Sequence, residues 1–106
     1  MKLMTKEIEK KLAKYPIYSQ DGKGEEAEVI VKYFNPYGRG TWLITEAEKL
    51  EDGDYLLYGY CHIFEWEWGE VLLSEIENAT VNVFGEEMHM ERDLYCEGQK
   101  VKDLVR

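Results

Sequence analysis

A chain of 106 residues is the size of one domain and can bury about two thirds of the surface it exposes when unfolded. Eight Tyr, three Trp and three Phe point to a core resting on rings, so folding without metal or disulfide is expected. Thirteen bases against twenty-two acids give a net charge of −9, which disfavours direct binding to DNA or RNA, because that affinity comes largely from Lys and Arg displacing phosphate counterions.

The charge is unevenly spread. Residues 1–24 carry six Lys and three acids, and residues 100–106 add a further net +2. Between Glu46 and Glu91 thirteen acids face one base, Lys49, which puts a net −12 into 46 residues. A basic partner is the natural complement of such a segment. Cys61 and Cys96 are the only cysteines, and with no secretory segment ahead of them they read as reduced thiols of a cytoplasmic protein. The opening MKLMTKEIEKKL lacks the apolar stretch of a signal peptide, and no run approaches the roughly 18 apolar residues of a membrane span.

In chain order, Thr5 caps a short helix that places Ile8, Leu12 and Tyr15 on one face, with Lys6, Lys10, Lys11 and Lys14 largely away from it, and Pro16 ends it. SQDGKGEE is a polar loop. Glu28 to Phe34 is β-branched and aromatic enough for a strand, NPYGRG is a turn, and Thr41 to Thr45 is the second strand of the hairpin. EAEKLEDGD reads as a polar connection whose DGD is a turn. Tyr55 to Phe64 is a third, long strand in which Gly59 marks a bulge or the close approach of another backbone. Trp66 to Leu73 is a fourth, interrupted at Gly69. SEIEN reads as a short helix or turn with Ser74 as cap, Thr80 to Phe84 as a further strand or a loop of strand-like propensity, and GQKVKDLVR as a short helix turning Val101, Leu104 and Val105 inward. The expected architecture is a single acidic α+β domain over residues 1–106. It has an antiparallel sheet of four to five strands, an N-terminal helix and a short C-terminal helical segment.

The run TWLITE (41–46), DGD (52–54), GY (59–60), EWEWG (65–69), LSEIEN (73–78) and MERD (90–93) resembles a family of small bacterial and phage proteins catalogued only as a domain of unknown function. The similarity spans roughly residues 30–95. It implies a setting, phages and other mobile elements, and brings no catalytic residues with it. The chain departs from the family pattern at Trp68, where another apolar residue is usual, and in its basic N-terminal helix.

In FEWEWGE an extended strand turns Trp66 and Trp68 to one face and Glu65 and Glu67 to the other, the carboxylates about 6.5 Å apart. The plain reading is a half-buried strand with Trp inward. The sharper one is a row of carboxylates imitating the phosphates of a nucleic acid towards a basic groove. For a catalytic metal, Glu46, Asp52, Asp54, Glu65 and Glu67 supply enough oxygen ligands, but nothing in the sequence fixes them in space. Asp52-Gly53-Asp54 lacks the bidentate Glu of a calcium loop. A zinc set of Cys61, His62, His89 and Cys96 has the wrong spacing. A Cys–His hydrolase lacks an orienting residue. Glu91-Arg92-Asp93 reads as an ion pair in which Arg92 is held by Glu46 or Glu75, with phosphate or carboxylate capture as the alternative.

The expected function is a non-enzymatic acidic binding protein of phage or mobile-element origin. It would inhibit by occluding the basic nucleic-acid-binding surface of a host protein such as a defence nuclease or effector complex. The contact residues are expected to be Glu48, Glu51, Asp52, Asp54, Glu65, Glu67 and Glu70, with no cofactor and no metal. The alternatives are a metal-dependent hydrolase or nuclease, and a structural domain forming a homo-oligomer through Tyr37, Trp66 or Trp68.

Overall fold

The computed structural model describes residues 1–94 and 96–105. Helix α1 spans Lys6–Leu12, and the Thr5 hydroxyl accepts the Ile8 N–H at 3.2 Å, which satisfies one of the amides a helix start leaves unpaired. Ile8 and Leu12 are buried. Strands β1 (Val31–Phe34), β2 (Thr41–Lys49), β3 (Tyr55–His62), β4 (Trp66–Leu72) and β7 (Glu91–Arg92) form one antiparallel sheet in the order β4-β3-β2-β1-β7. Helix α2 (Leu73–Asn78) follows β4, strands β5 (Thr80–Val83) and β6 (Glu86–His89) make a separate hairpin, and α3 is Val101–Leu104. The architecture is α+β, with strands predominating.

The sheet buries both faces, unequally. Its inner face presents Val31, Tyr33, Ile44, Ala47 and Leu57 to Ile8 and Leu12 of α1 and to Leu73 and Ile76 of α2. Each fully covered aliphatic there contributes roughly 1.5–3 kcal/mol. The outer face carries a smaller cluster of Ala27, Val29, Leu43 and Val101, with Tyr60, Trp66, Leu104 and Val105 packed against it. Val101 is buried, while Leu104 and Val105 are half-buried; Arg106, the end of the expected helical segment, lies outside the described residues. Glu26 of the 3-10 turn Gly24–Glu26 ties this end down through Lys102 at 2.7 Å and Lys100 at 2.9 Å. Those two lysines hold its carboxyl at about 2, well under the ordinary glutamate value.

Several elements differ from expectation. β1 begins at Val31, because Glu28 and Val29 pair with the C-terminal segment through a bridge to Lys100 and a Val29 N–H donated to the Gln99 carbonyl at 2.9 Å. β3 stops at His62, leaving residues 63–65 as the hairpin loop. Ser74 lies inside α2 and does not cap it. The Leu72 N–H goes to the Glu75 carboxylate at 2.9 Å, and the Ser74 N–H and hydroxyl go to Asp54. Thr80 to Val83 is indeed a strand, but its partner β6 and the short edge strand β7 carry too few apolar residues to be read as strands.

The largest difference is that β2 runs on through Glu46, Ala47, Glu48 and Lys49, read from sequence as a polar connection. The cause is a bulge. Ile44 pairs with Gly59 and Glu46 pairs with Tyr58, so Thr45 is an extra residue on β2. Inner-face positions are thus Trp42, Ile44 and then Ala47, a phase change that hides the alternation of a single strand. Gly59 permits it. A Cβ at that position would lie 1.9 Å from the Leu43 carbonyl oxygen and 2.9 Å from the Ile44 Cα, both backbone atoms. Gly59→Ala therefore has to push β2 and β3 apart, and we expect a loss of about 3 kcal/mol in urea unfolding. An unchanged midpoint would show that β2 yields there at no cost.

Candidate functional site

The three-residue loop 63–65 sets the β3–β4 register, placing His62 opposite Trp66 and Tyr60 opposite Trp68. Partners directly opposite share a face, so Tyr58, Tyr60 and His62 of β3 meet Trp66 and Trp68 of β4 on the outer side. The result is a continuous ladder. Tyr58 stacks on Trp68 with centroids 5.8 Å apart and planes at 15°; Tyr60 touches Trp68 at 4.9 Å and Trp66 at 5.1 Å; His62 reaches Trp66 at 5.1 Å. Such ring pairs contribute about 0.5–1.5 kcal/mol beyond the area they cover. The expectation of inward tryptophans is corrected accordingly. Trp66 is half-buried at the edge of the smaller cluster, and Trp68 is 37% exposed. The ladder escaped the sequence reading because β3 was run on to Phe64, which hides the register; Tyr58, Tyr60 and His62 at every second position were its signal.

The acidic residues singled out from sequence do not form one row. Glu65 sits in the hairpin loop. Glu67 lies opposite Cys61 on the inner side of β4, and Glu70 lies opposite Tyr58 on the outer side. Glu48, opposite Leu56, is on the outer side of β2, while Glu51 and Asp52 occupy the β2–β3 turn. All six are exposed. Asp54 is half-buried and engaged internally: its carboxylate accepts the Tyr55 N–H at 2.8 Å, the Ser74 N–H at 3.1 Å and the Ser74 hydroxyl at 2.5 Å. Its carboxyl is held below the ordinary aspartate value, chiefly by the Ser74 hydroxyl.

Glu46 has the least expected environment. It is only 3% exposed, and its carboxylate accepts the Tyr18 N–H at 2.6 Å and the Gln20 N–H at 3.2 Å. Gln20, equally buried, completes the anchorage: its amide nitrogen donates to the Glu28 and Thr45 carbonyls at 2.8 and 2.9 Å, and its oxygen accepts the Glu28 N–H at 2.7 Å. The polar loop read as SQDGKGEE is thereby fixed over the outer face of β2. Tyr18 takes a positive φ of 77°, a conformation costly for a side chain with a Cβ, at the point where its amide meets Glu46. The pairing of Arg92 with Glu46 or Glu75 does not occur. The Arg92 Nε donates to the Lys2 carbonyl at 3.2 Å, Glu46 serves the loop and Glu75 serves the start of α2.

Among the described residues, no three His, Cys, Asp or Glu side chains stand together as a metal site. Cys61 and His62 point to opposite faces, His89 is on β6 and Cys96 is buried elsewhere. Both thiols are free. Cys61 lines a cavity of about 370 Å³ between β4 and α2, with Trp42, Val71 and Ile76 around it and Glu67 and Glu75 at its rim. Burial, with a smaller push from Glu67, raises the Cys61 thiol to about 12, and burial also raises Cys96. A thiol kept protonated is a poor nucleophile.

The geometry defines a small acidic α+β domain whose edge hairpin displays an aromatic ladder beside carboxylates. The chain belongs to the family described as protein of unknown function (DUF2958), whose model matches residues 3–102. No curated protein and no solved structure matches it. No helix among the described residues is long and apolar enough to cross a membrane.

Two outcomes are expected. Glu46→Gln keeps one acceptor oxygen but sets an amide NH₂ against the second loop N–H, and should cost about 2 kcal/mol in chemical denaturation, with faster hydrogen exchange at Tyr18 and Gln20. Iodoacetamide at pH 8 should label both thiols of the folded protein more than about a hundredfold more slowly than those of the denatured chain. Equal rates would mean that the thiols are open to solvent.

Proposed function

We propose that the protein is a non-enzymatic acidic binding protein that docks on a basic surface of another protein, of the kind that holds nucleic acid, and occludes it. The observation that carries this reading is the folding of the acidic middle of the chain into the β3–β4 edge of the sheet. Residues 50–91 contain no Lys or Arg, and Glu65, Glu67 and Glu70 surround the edge strand exposed to solvent. The bases are elsewhere and partly spent: Lys11 pairs with Glu97, and Lys100 and Lys102 pair with Glu26. A negative field of this extent steers a positively charged partner and repels nucleic acid. The carboxylates wrap the two sides of β4, so a concave basic groove is the shape they suit. The mobile-element setting implied by the sequence resemblance makes a host defence nuclease or its effector complex, met in the cytoplasm, the fitting target.

Charge-driven docking has a distinct signature. A partner recovered from a bacterial lysate at low salt should be lost by 0.5 M NaCl, since screening shortens the reach of exposed charges to a few Å. The double reversal Glu67→Lys with Glu70→Lys should abolish that capture while moving the melting temperature little, because exposed charges contribute about 0–1 kcal/mol each. The recovered partner should also lose its own nucleic-acid binding when the wild-type protein is added. Capture that survives both high salt and the double reversal would overturn the reading.

A further inference from the structure

Between the loop anchored by Glu46 and the outer face of β3–β4 lies a cavity of about 310 Å³. Its lining combines Asp21, Gly22 and Gly24 of the loop with Glu46 of β2, Tyr58 of β3 and Trp68 of β4. Three features set it apart from an ordinary surface cleft. One wall is the stacked Tyr58–Trp68 pair at the end of the ladder. The base is a carboxylate that is 97% withdrawn from water, and among the described residues no Lys or Arg lies within 4.0 Å of it. Buried carboxylates are ordinarily matched by a cation; here Glu46 accepts the N–H groups of Tyr18 and Gln20, which leaves further acceptor capacity on its oxygens. Finally, the Tyr58 hydroxyl is raised by burial and then by Glu46, Asp21 and Glu70, so three carboxylates act together on this one place.

We propose that this cavity is a receptor for an arginine side chain of the basic partner, whose guanidinium lies against the Tyr58–Trp68 wall and donates to the carboxylates of Glu46 and Asp21. The inference rests on the reading of the protein as a binder of basic surfaces and names the contact that anchors it. A planar, weakly hydrated guanidinium suits a stacked ring wall and carboxylates on more than one side better than a compact ammonium does. The loop glycines favour the fit as well. Gly22 and Gly24 hold positive φ, and no heavy atom lies within 4 Å of where a Cβ would stand, so the loop lines the cavity with bare backbone. A desolvated aromatic and charged anchor surrounded by a polar rim is also the usual composition of an interface hot spot.

The test uses the full chain, isotope-labelled, and two capped peptides, Gly-Arg-Gly and its neutral isostere Gly-citrulline-Gly. The arginine peptide should give saturable NMR shifts at the Gly22 and Gly24 amides and the Trp68 indole, with a dissociation constant on the order of 1–10 mM, as befits one side chain. The citrulline peptide should give none. Trp68→Ala and Asp21→Asn should each weaken the arginine peptide about fivefold, and the second variant, which touches no packing, guards against a folding defect in the first. Equal shifts with both peptides, or arginine shifts that avoid these three probes, overturn the inference. The two readings fail separately. If the salt-sensitive partner is still lost on reversing Glu67 and Glu70 but binds Asp21→Asn and Trp68→Ala as tightly as wild type, the arginine receptor falls and the docking function stands.

Discussion

One close contact governs the arrangement of the outer face: the backbone of β2 at Leu43 and Ile44 lies where a side chain of residue 59 would be. Because residue 59 is glycine, β2 carries its extra residue at Thr45 without being pushed off β3. The insertion changes which residues face the core. Without it, Glu46 would pair with Leu57 and enter the inner cluster among Ile44, Tyr33 and Ile76; with it, Ala47 takes that place and Glu46 turns outward beside Tyr58. Glu46 is buried on the outer side too, but there it meets the Tyr18 and Gln20 N–H groups, which offset a desolvation cost that the aliphatics of the inner cluster would leave uncompensated.

The relocated carboxylate then organises a segment that has no regular structure of its own. Residues 16–23 contain turns only, yet their path is determined by acceptors of two kinds, the Glu46 oxygens and the three bonds of the Gln20 amide. Hydrogen bonds to an ionised group contribute about 1.5–3 kcal/mol each, which exceeds the 1–2 kcal/mol cost of left-handed Tyr18. The loop's path is therefore fixed by tertiary hydrogen bonds, which reduces the ordering its side chains would have to undergo on binding. Among the described residues, no buried side-chain nitrogen or oxygen lacks a hydrogen-bond partner, so each buried polar side-chain atom beneath the loop makes at least one bond.

How much of this was legible depended on whether the signal was local. Helix α1 was readable because Thr5, Ile8 and Leu12 act within one short segment, although it stops at Leu12, ahead of Tyr15 and Pro16, and β3 was readable because its run of Tyr and Leu is long and apolar. Gly59 announced a bulge or close approach, and both are present, but nothing in the sequence says which neighbour approaches; that is a tertiary fact. The extension of β2 through EAEK was invisible because the bulge breaks the period of two that identifies a strand. The face of the tryptophans was misjudged for a related reason. Alternation in EWEW says that Trp and Glu part company, but which side is covered depends on α2, which seals the side opposite to the tryptophans. Arg92 was assigned a carboxylate because it stands alone in an acidic stretch, whereas its chain neighbours on β7 bring it to the backbone of Lys2. Family membership, by contrast, could be read from short motifs spread over most of the chain.

The edge of the sheet shows why a basic occupant is the consistent one. β4 ends the sheet order, and an edge strand offers unpaired backbone groups to any extended chain, its own copies included. Proteins often guard such edges with lysine; here the guard is Glu65, Glu67 and Glu70. Two copies brought edge to edge would set these carboxylates against their equivalents across a spacing of about 5 Å, where like charges destabilise a pairing. The same residues place no barrier before a segment rich in Arg or Lys. The ladder reinforces the choice, because a π face attracts a cation and offers an anion nothing. Edge, carboxylates and rings thus select the same sign of partner: Glu65, Glu67 and Glu70 interleave with Trp66 and Trp68 in one stretch of sequence, and the register of β3 and β4 adds Tyr58, Tyr60 and His62 to it.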